Sequence, residues 1–217
     1  MVRRIEAVSV VEAVGDDIRG RLFAGELVGG TALTEAIVAE EYGVSRSTAK
    51  AAIEKLTAEG LLQRDAHKPA RVPVLDADDV RDVYRTRMRL ESEAIRELAA
   101  ARSVPPAATE ANARVRATGA AASIDSVEPD MRFHAALVVA LESPRLERMY
   151  LSLVDEVRLC MAQVQGRRLL DVQQIADEHQ QILDHIAAGD ADAAVQCLHG
   201  HLTRASDRLI AALAAAP

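Results

Sequence analysis

From residue 78 to its end, the chain carries apolar side chains at the 3.6-residue spacing of helices and shows no strand signal. Six helical stretches stand out, near 78–101, 106–120, 126–142, 144–165, 168–188 and 190–214. Pro105-Pro106, Pro144, Gly166 and Gly189-Asp190 punctuate them. Such stretches can bury their apolar stripes only against one another, so this part of the chain reads as an all-helical bundle. Heavy use of Ala and the absence of Trp suit closely packed helices.

The first third reads differently. Residues 8–23 form a first helix, with Val11, Val14, Ile18 and Leu22 on one face. Residues 33–41 form a second, with Leu33, Ile37 and Val38 on one side. Gly43 then breaks the chain, Ser45 offers an N-cap, and Gly60 suits a left-handed C-cap. Between them Ala49, Ala52, Ile53 and Leu56 face a core, while Arg46, Ser47, Lys50 and Lys55 share the other face. Leu61–Arg64, a turn over 65–69, and Ala70–Val74 read as a two-stranded wing carrying Lys68 and Arg71. A short helix after a sharp turn, with small and basic residues at its start, can enter a DNA major groove. On that window alone, an amphipathic helix with a solvated face fits as well.

Charge distribution favours the first reading. The net charge is −7, yet residues 44–74 hold six basic residues (Arg46, Lys50, Lys55, Arg64, Lys68, Arg71) against three acidic (Glu54, Glu59, Asp65), a local +3. Phosphate contacts need only that local surface. A length of 217 residues allows two modest domains, 1–74 and 75–217, with Pro73–Asp78 as the linker. No apolar run approaches about 18 residues and the N-terminus lacks a signal-peptide apolar stretch, so the expectation is a cytoplasmic protein. Cys160 and Cys197 show no metal-type spacing and read as reduced thiols.

Several polar residues sit where apolar ones belong. Asp130 and His134 are four apart, on the stripe of Phe133, Leu137 and Leu141. His179 shares its face with Ile175, Ile182, Leu183 and Ile186, and His201 with Ala194, Leu198, Leu202, Ala205 and Leu209. His199 lies roughly opposite and should face water, and His185 sits on a flank. Each alone reads as a satisfied core residue, with a mutual Asp130–His134 hydrogen bond as the modest account and a metal as the sharper one; three inward histidines and one inward aspartate are harder to dismiss as core. Arg87 and Glu91 fall near the centre of the stripe of Val80, Val83, Leu90, Ala94 and Leu98. They read either as an i,i+4 ion pair or as an arginine awaiting an anionic ligand.

These residues carry a resemblance. Gly25-Glu-Leu27, Leu33-Thr-Glu35, Gly43-Val-Ser-Arg46, Ile53, Leu56 and Glu59-Gly-Leu61 with the wing resemble the winged helix-turn-helix of GntR regulators. Gly29-Gly30, Ala36 and Thr48–Ile53 depart from the family's usual residues, and its wing glycine is replaced near His67. Arg87-Met-Arg-Leu-Glu91, Asp130-Met-Arg-Phe-His134, Glu178-His179, Ile182-Leu183, Gly189-Asp190, Ala194 and His201-Leu202 resemble the FCD domain of FadR-type members, nearest the short VanR-like branch. The resemblance implies a mainly α protein: a winged helix-turn-helix followed by an all-helical FCD-like bundle. It also implies Asp130, His134, His179 and His201 as ligands of a divalent ion (Zn, Ni, Mn or Co), with Arg87 near a small organic acid. DNA contacts fall to Arg46, Ser47, Lys50, Lys68 and Arg71. The expected function is a homodimeric, metabolite-responsive repressor on a palindromic operator, not an enzyme. The alternatives are a metal-sensing regulator and a helical metallohydrolase with a DNA-binding appendage.

Overall fold

The computed structural model describes residues 9–118, 127–164 and 171–215. Among them the chain is mainly α: nine helices and two two-residue strands, in two compact units. The first unit holds the described residues up to Leu75 together with 161–164. The second holds 76–160 and the described residues from 171.

In the first unit, α1 (Val10–Phe23) starts at Ser9, which forms a capping box with Glu12. Strand β1 (Ala32–Leu33) precedes α2 (Glu35–Tyr42). Leu33 is therefore extended rather than helical, because Thr34 takes the N-cap and accepts from the Ile37 amide. Gly43 ends α2 at φ 63°, a left-handed conformation that glycine adopts at little cost. Ser45 caps α3 (Arg46–Ala58), its hydroxyl accepting from the Thr48 amide. Val14, Ile18, Leu22, Val38, Ala49, Ala52, Ile53 and Leu56 form the core, with α1 and α2 both packed on α3. Ile37, expected inside, is 53% exposed.

The wing differs from a plain hairpin. Strand β2 (Ala70–Arg71) pairs antiparallel with β1 (Ala32↔Arg71, Leu33↔Ala70), and the Leu61–Arg64 segment adds only a bridge from Gln63 to Arg71. His67, where the family's wing glycine is replaced, stands at φ 62°. That left-handed conformation costs a non-glycine residue about 1–2 kcal/mol.

The second unit contains α4 (Ala77–Ala101), α5 (Pro106–Ala117), α6 (Val127–Val139), α8 (Val172–Ala188), α9 (Ala191–Ala214) and most of α7 (Pro144–Gln163). All six expected helices are present. The expected helical residues 119–120, 126, 165 and 168–170 lie outside the described residues. Asp76 caps α4 through the Asp78 and Asp79 amides, as acidic residues at a helix start should. Helix α4 packs against α6, α8 and α9, while α5 packs on α6 and α8. Its buried stripe is Val80, Val83, Tyr84, Arg87, Glu91, Ala94, Ile95 and Leu98, so two charged residues enter the bundle core. No described helix is long and apolar enough to cross a membrane.

Candidate metal centre and nucleic-acid interface

Helical phase brings four of the singled-out residues together. Asp130 and His134 project from α6, His179 from α8 and His201 from α9, and one ligand atom from each lies within 4.8 Å of the other three. All four are buried. The Phe133 ring stacks on His179, with centroids 3.6 Å apart and planes within 8°, and so sets the plane of that imidazole. His134 meets His179 edge-on at 5.1 Å.

A second layer of polar residues supports the first. Glu91 is wholly buried: its Oε2 lies 2.6 Å from His134 Nδ1, and its Oε1 accepts from Tyr150 Oη at 2.6 Å and from Arg87 Nε at 3.0 Å. Arg87 lies over the Tyr84 ring, 5.1 Å from its centroid. On the opposite side, Glu178 Oε2 lies 2.8 Å from His201 Nδ1, while Oε1 pairs with Arg204 at 2.7 Å and accepts from Gln174 at 2.7 Å. Burial opposes the charge on Glu91, but His134 and Arg87 outweigh it and hold the carboxyl at about 2. Asp130 is likewise held well below the usual carboxylate range; burial opposes its charge, and the imidazoles around it, His179 foremost, outweigh that. Burial pushes His179 down to about 3 and also lowers His134, so both offer neutral imidazoles at neutral pH.

The donor set fits a divalent ion. Three imidazoles and a carboxylate are borderline ligands suited to Zn, Ni, Mn or Co. Asp130 Oδ1 and both ring nitrogens of His179 are buried without any hydrogen-bond partner, Oδ1 and Nε2 facing each other at 3.3 Å without a directed bond. Buried polar atoms are rarely left that way. An ion held by Asp130, His134, His179 and His201 would satisfy them. Arg87 Nη2 is also buried and without a partner. Elsewhere, His199 is exposed and 2.9 Å from Ser92 Oγ, and His185 is half-buried.

In the sequence Glu178 stood out only beside His179, and Tyr150 and Arg204 did not stand out at all. Adjacency to His179 was the one available hint for Glu178; its actual partner, His201, is 23 residues away. Nothing local marks Tyr150, which meets Glu91 from α7. A groove of about 410 Å³ on α5 and α8 includes Thr109, Asn112, Arg116 and Gln180 in its lining, and none of the cluster residues.

In the first unit Arg46, Ser47, Lys50, Lys68 and Arg71 are all exposed. Arg46 is the first residue of α3, followed by Ser47, whose hydroxyl is 2.8 Å from that of Ser45. Lys50 Nζ lies 3.6 Å from Glu54, one turn on. Lys68 pairs with Asp65 at 2.9 Å, and Arg71 donates to the Gly30 carbonyl at 2.8 Å. Exposed pairs of this kind are worth about 0–1 kcal/mol, so they yield readily to phosphate.

Two family models match the chain. "Bacterial regulatory proteins, gntR family" covers residues 10–72, and "FCD domain" covers residues 82–204. An uncharacterized HTH-type transcriptional regulator, BphR of Paraburkholderia xenovorans, is 28% identical over 212 residues, 89% of this chain and 82% of that protein. A protein of Paenarthrobacter nicotinovorans, named a probable D-xylose utilization operon transcriptional repressor, is 28% identical over 204 residues, 92% of this chain and 88% of its own. Among solved structures, a GntR transcriptional regulator from Rhodococcus sp. RHA1 superposes with a TM-score of 0.80 at 23% identity, covering 94% of this chain and 99% of its own. The FCD model alone spans more than half of the chain, and the winged unit that precedes it matches the second model, so this chain belongs to the GntR family of bacterial transcriptional regulators and carries an FCD domain.

Proposed function

We propose that this chain is a cytoplasmic, homodimeric, metabolite-responsive repressor. In this reading residues 1–74 bind DNA, and residues 75–217 bind a divalent ion and a small organic acid and dimerise. The observation that carries it is the convergence of Asp130, His134, His179 and His201 in a buried cluster with unpartnered ligand atoms. The ion would be held by those four residues and would supply a Lewis-acidic position for an anion. The family and the relatives are transcriptional regulators, which sets the metallohydrolase alternative aside. Glu178, the acidic residue beside His179 that a hydrolase would need as a base, is taken up by His201 and Arg204.

Charge accounting points to an acid. Arg87 is paired with Glu91 and Glu178 with Arg204, so each pair cancels. Asp130 against a divalent ion leaves about +1, which a buried site holds poorly without an anion. Arg87 is neutralised by Glu91 yet keeps Nη2 free of partners. A carboxylate shared between the ion and that Nη2 completes both. The acid's binding would shift the population between states of different operator affinity. Thermal-shift screening of small carboxylates, with and without chelator and alongside operator binding, tests this. The expected hit stabilises the metal-loaded protein, loses its effect in Arg87→Ala and changes operator affinity. An acid that binds equally well to the stripped protein and to Arg87→Ala would sink the effector assignment. If acids leave operator affinity untouched while the ion changes it, the chain is a metal sensor.

On the DNA side, two copies of α3 about one helical turn apart would read a palindromic operator. Arg46 and Lys50 would contact base edges, with Ser47 beside them, and Lys68 and Arg71 would touch phosphate or the minor groove. Arg46→Ala should cost about 1–3 kcal/mol at the operator and relax specificity at one base pair, whereas wing variants weaken all sequences alike. Equal loss of specific and non-specific binding in Arg46→Ala, measured by fluorescence anisotropy, would count against Arg46 as a base reader.

A further inference from the structure

The two histidines that face each other across the cluster pose a proton-counting problem. His134 Nε2 and His201 Nε2 are 3.1 Å apart. Behind them, His134 Nδ1 meets Glu91 Oε2 at 2.6 Å and His201 Nδ1 meets Glu178 Oε2 at 2.8 Å. An ionised carboxylate only accepts hydrogen bonds. Each Nδ1 must therefore carry the hydrogen, and a neutral imidazole has only one. The two Nε2 atoms are left as lone pairs pointed at each other, with Asp130 and His179 alongside. A cation between them relieves that arrangement, whether a metal ion or one added proton that lets one Nε2 donate to the other.

We propose that Glu91 and Glu178 are positioning residues that fix His134 and His201 as Nδ1–H tautomers, and so present both Nε2 lone pairs to one point of the cluster. This rests on the metal reading above and deepens it: the pair is set as a two-nitrogen face before any ion arrives. The two carboxylates do so by different means. Glu91 is sealed in the core and held by Tyr150 and Arg87. Glu178 sits at the rim, 14% exposed, and is aimed by Arg204 and Gln174. Arg204 passes close to Gly200: a Cβ there would come 3.2 Å from Arg204 Nη1, and the guanidinium would shift by a few tenths of an ångström. Partners of this kind are typically worth 10–100-fold in metal affinity.

Glu178 is the one to test, since it is on the rim and its loss leaves no buried charge. Histidine ring ¹⁵N–¹H correlation spectra of the metal-stripped full chain report each tautomer directly, and Zn²⁺ titration reports affinity. Wild type and Glu178→Gln, whose amide oxygen still accepts, should show His201 as the Nδ1–H tautomer. Glu178→Ala should show a mixture or the other tautomer, with Zn²⁺ affinity down 10–100-fold and recovered in large part by Gln. Arg204→Ala should fall between. His201 held as Nδ1–H in Glu178→Ala, with wild-type Zn²⁺ affinity, overturns the proposal. Ring signals that follow the expected pattern in a wild type that takes up no Zn²⁺ support the tautomer assignment while removing the metal reading.

Discussion

Full chain carrying His134→Ala together with His179→Ala should purify without stoichiometric metal and should show no thermal shift between loaded and chelated samples. The wild type should show a large one. An ion that binds the folded chain stabilises it by about 4 kcal/mol at a thousandfold excess over its dissociation constant. For a chain of this size that is a Tm difference on the order of 10 °C. The two substitutions leave Asp130 and His201, too few protein ligands for a buried divalent ion. They also carve space from a packed region, since His179 is stacked on Phe133. The informative quantity is therefore the metal-dependent difference within each protein, not the absolute Tm of the variant. Metal retained in equal stoichiometry by the double variant would refute the four-residue site. Loss of metal in His199→Ala, a residue exposed on the other side of α9, would do the same for its placement.

How much of this was legible beforehand follows from the range of each interaction. Helical phase is a local property, so the burial of Arg87, Glu91, Asp130, His134, His179 and His201 could be read from spacing alone. The caps at Ser45 and Asp76 are local as well. Strand β1 was not legible, because Ala32 and Leu33 are extended only by pairing with Arg71 and Ala70 far along the chain. Ile37 was misplaced because α2 is too short for phase to settle which side is covered. The partners of Glu91 illustrate the same divide. Arg87 is one turn away and was anticipated, whereas Tyr150 is 59 residues distant and His134 is 43. Pairings at that separation leave no mark on local sequence pattern.

Glu91→Ala should be the most destabilising single change in the helical unit, at about 3–5 kcal/mol by urea unfolding, because breaking a buried pair strands the other charge. Arg87 is 1% exposed and its Nε would lose its anion, while the Tyr150 hydroxyl and His134 Nδ1 would lose their acceptor. Glu91→Gln keeps an acceptor without the charge and should cost less. The wild type carries a matching pH signature once stripped of metal. Glu91 titrates near 4.5 when unfolded and at about 2 when folded, so the unfolded chain binds more protons between those values. Stability therefore rises with pH across that window, is fully present above 4.5, and is lost as pH falls towards 2, by about 3 kcal/mol in all. His179 works in the same direction at higher pH. Burial lowers it from 6.5 to about 3, so acidification below 6.5 protonates the unfolded chain first and erodes stability from there down. Urea unfolding of stripped protein between pH 7 and 3 should show this decline, steepening below 4.5. Glu91→Gln should keep the upper part of it and lose the steepening. A cost under about 1 kcal/mol for Glu91→Ala would mean that Arg87 finds another anion, and Asp130, whose charge already acts on Arg87, is a candidate to supply it.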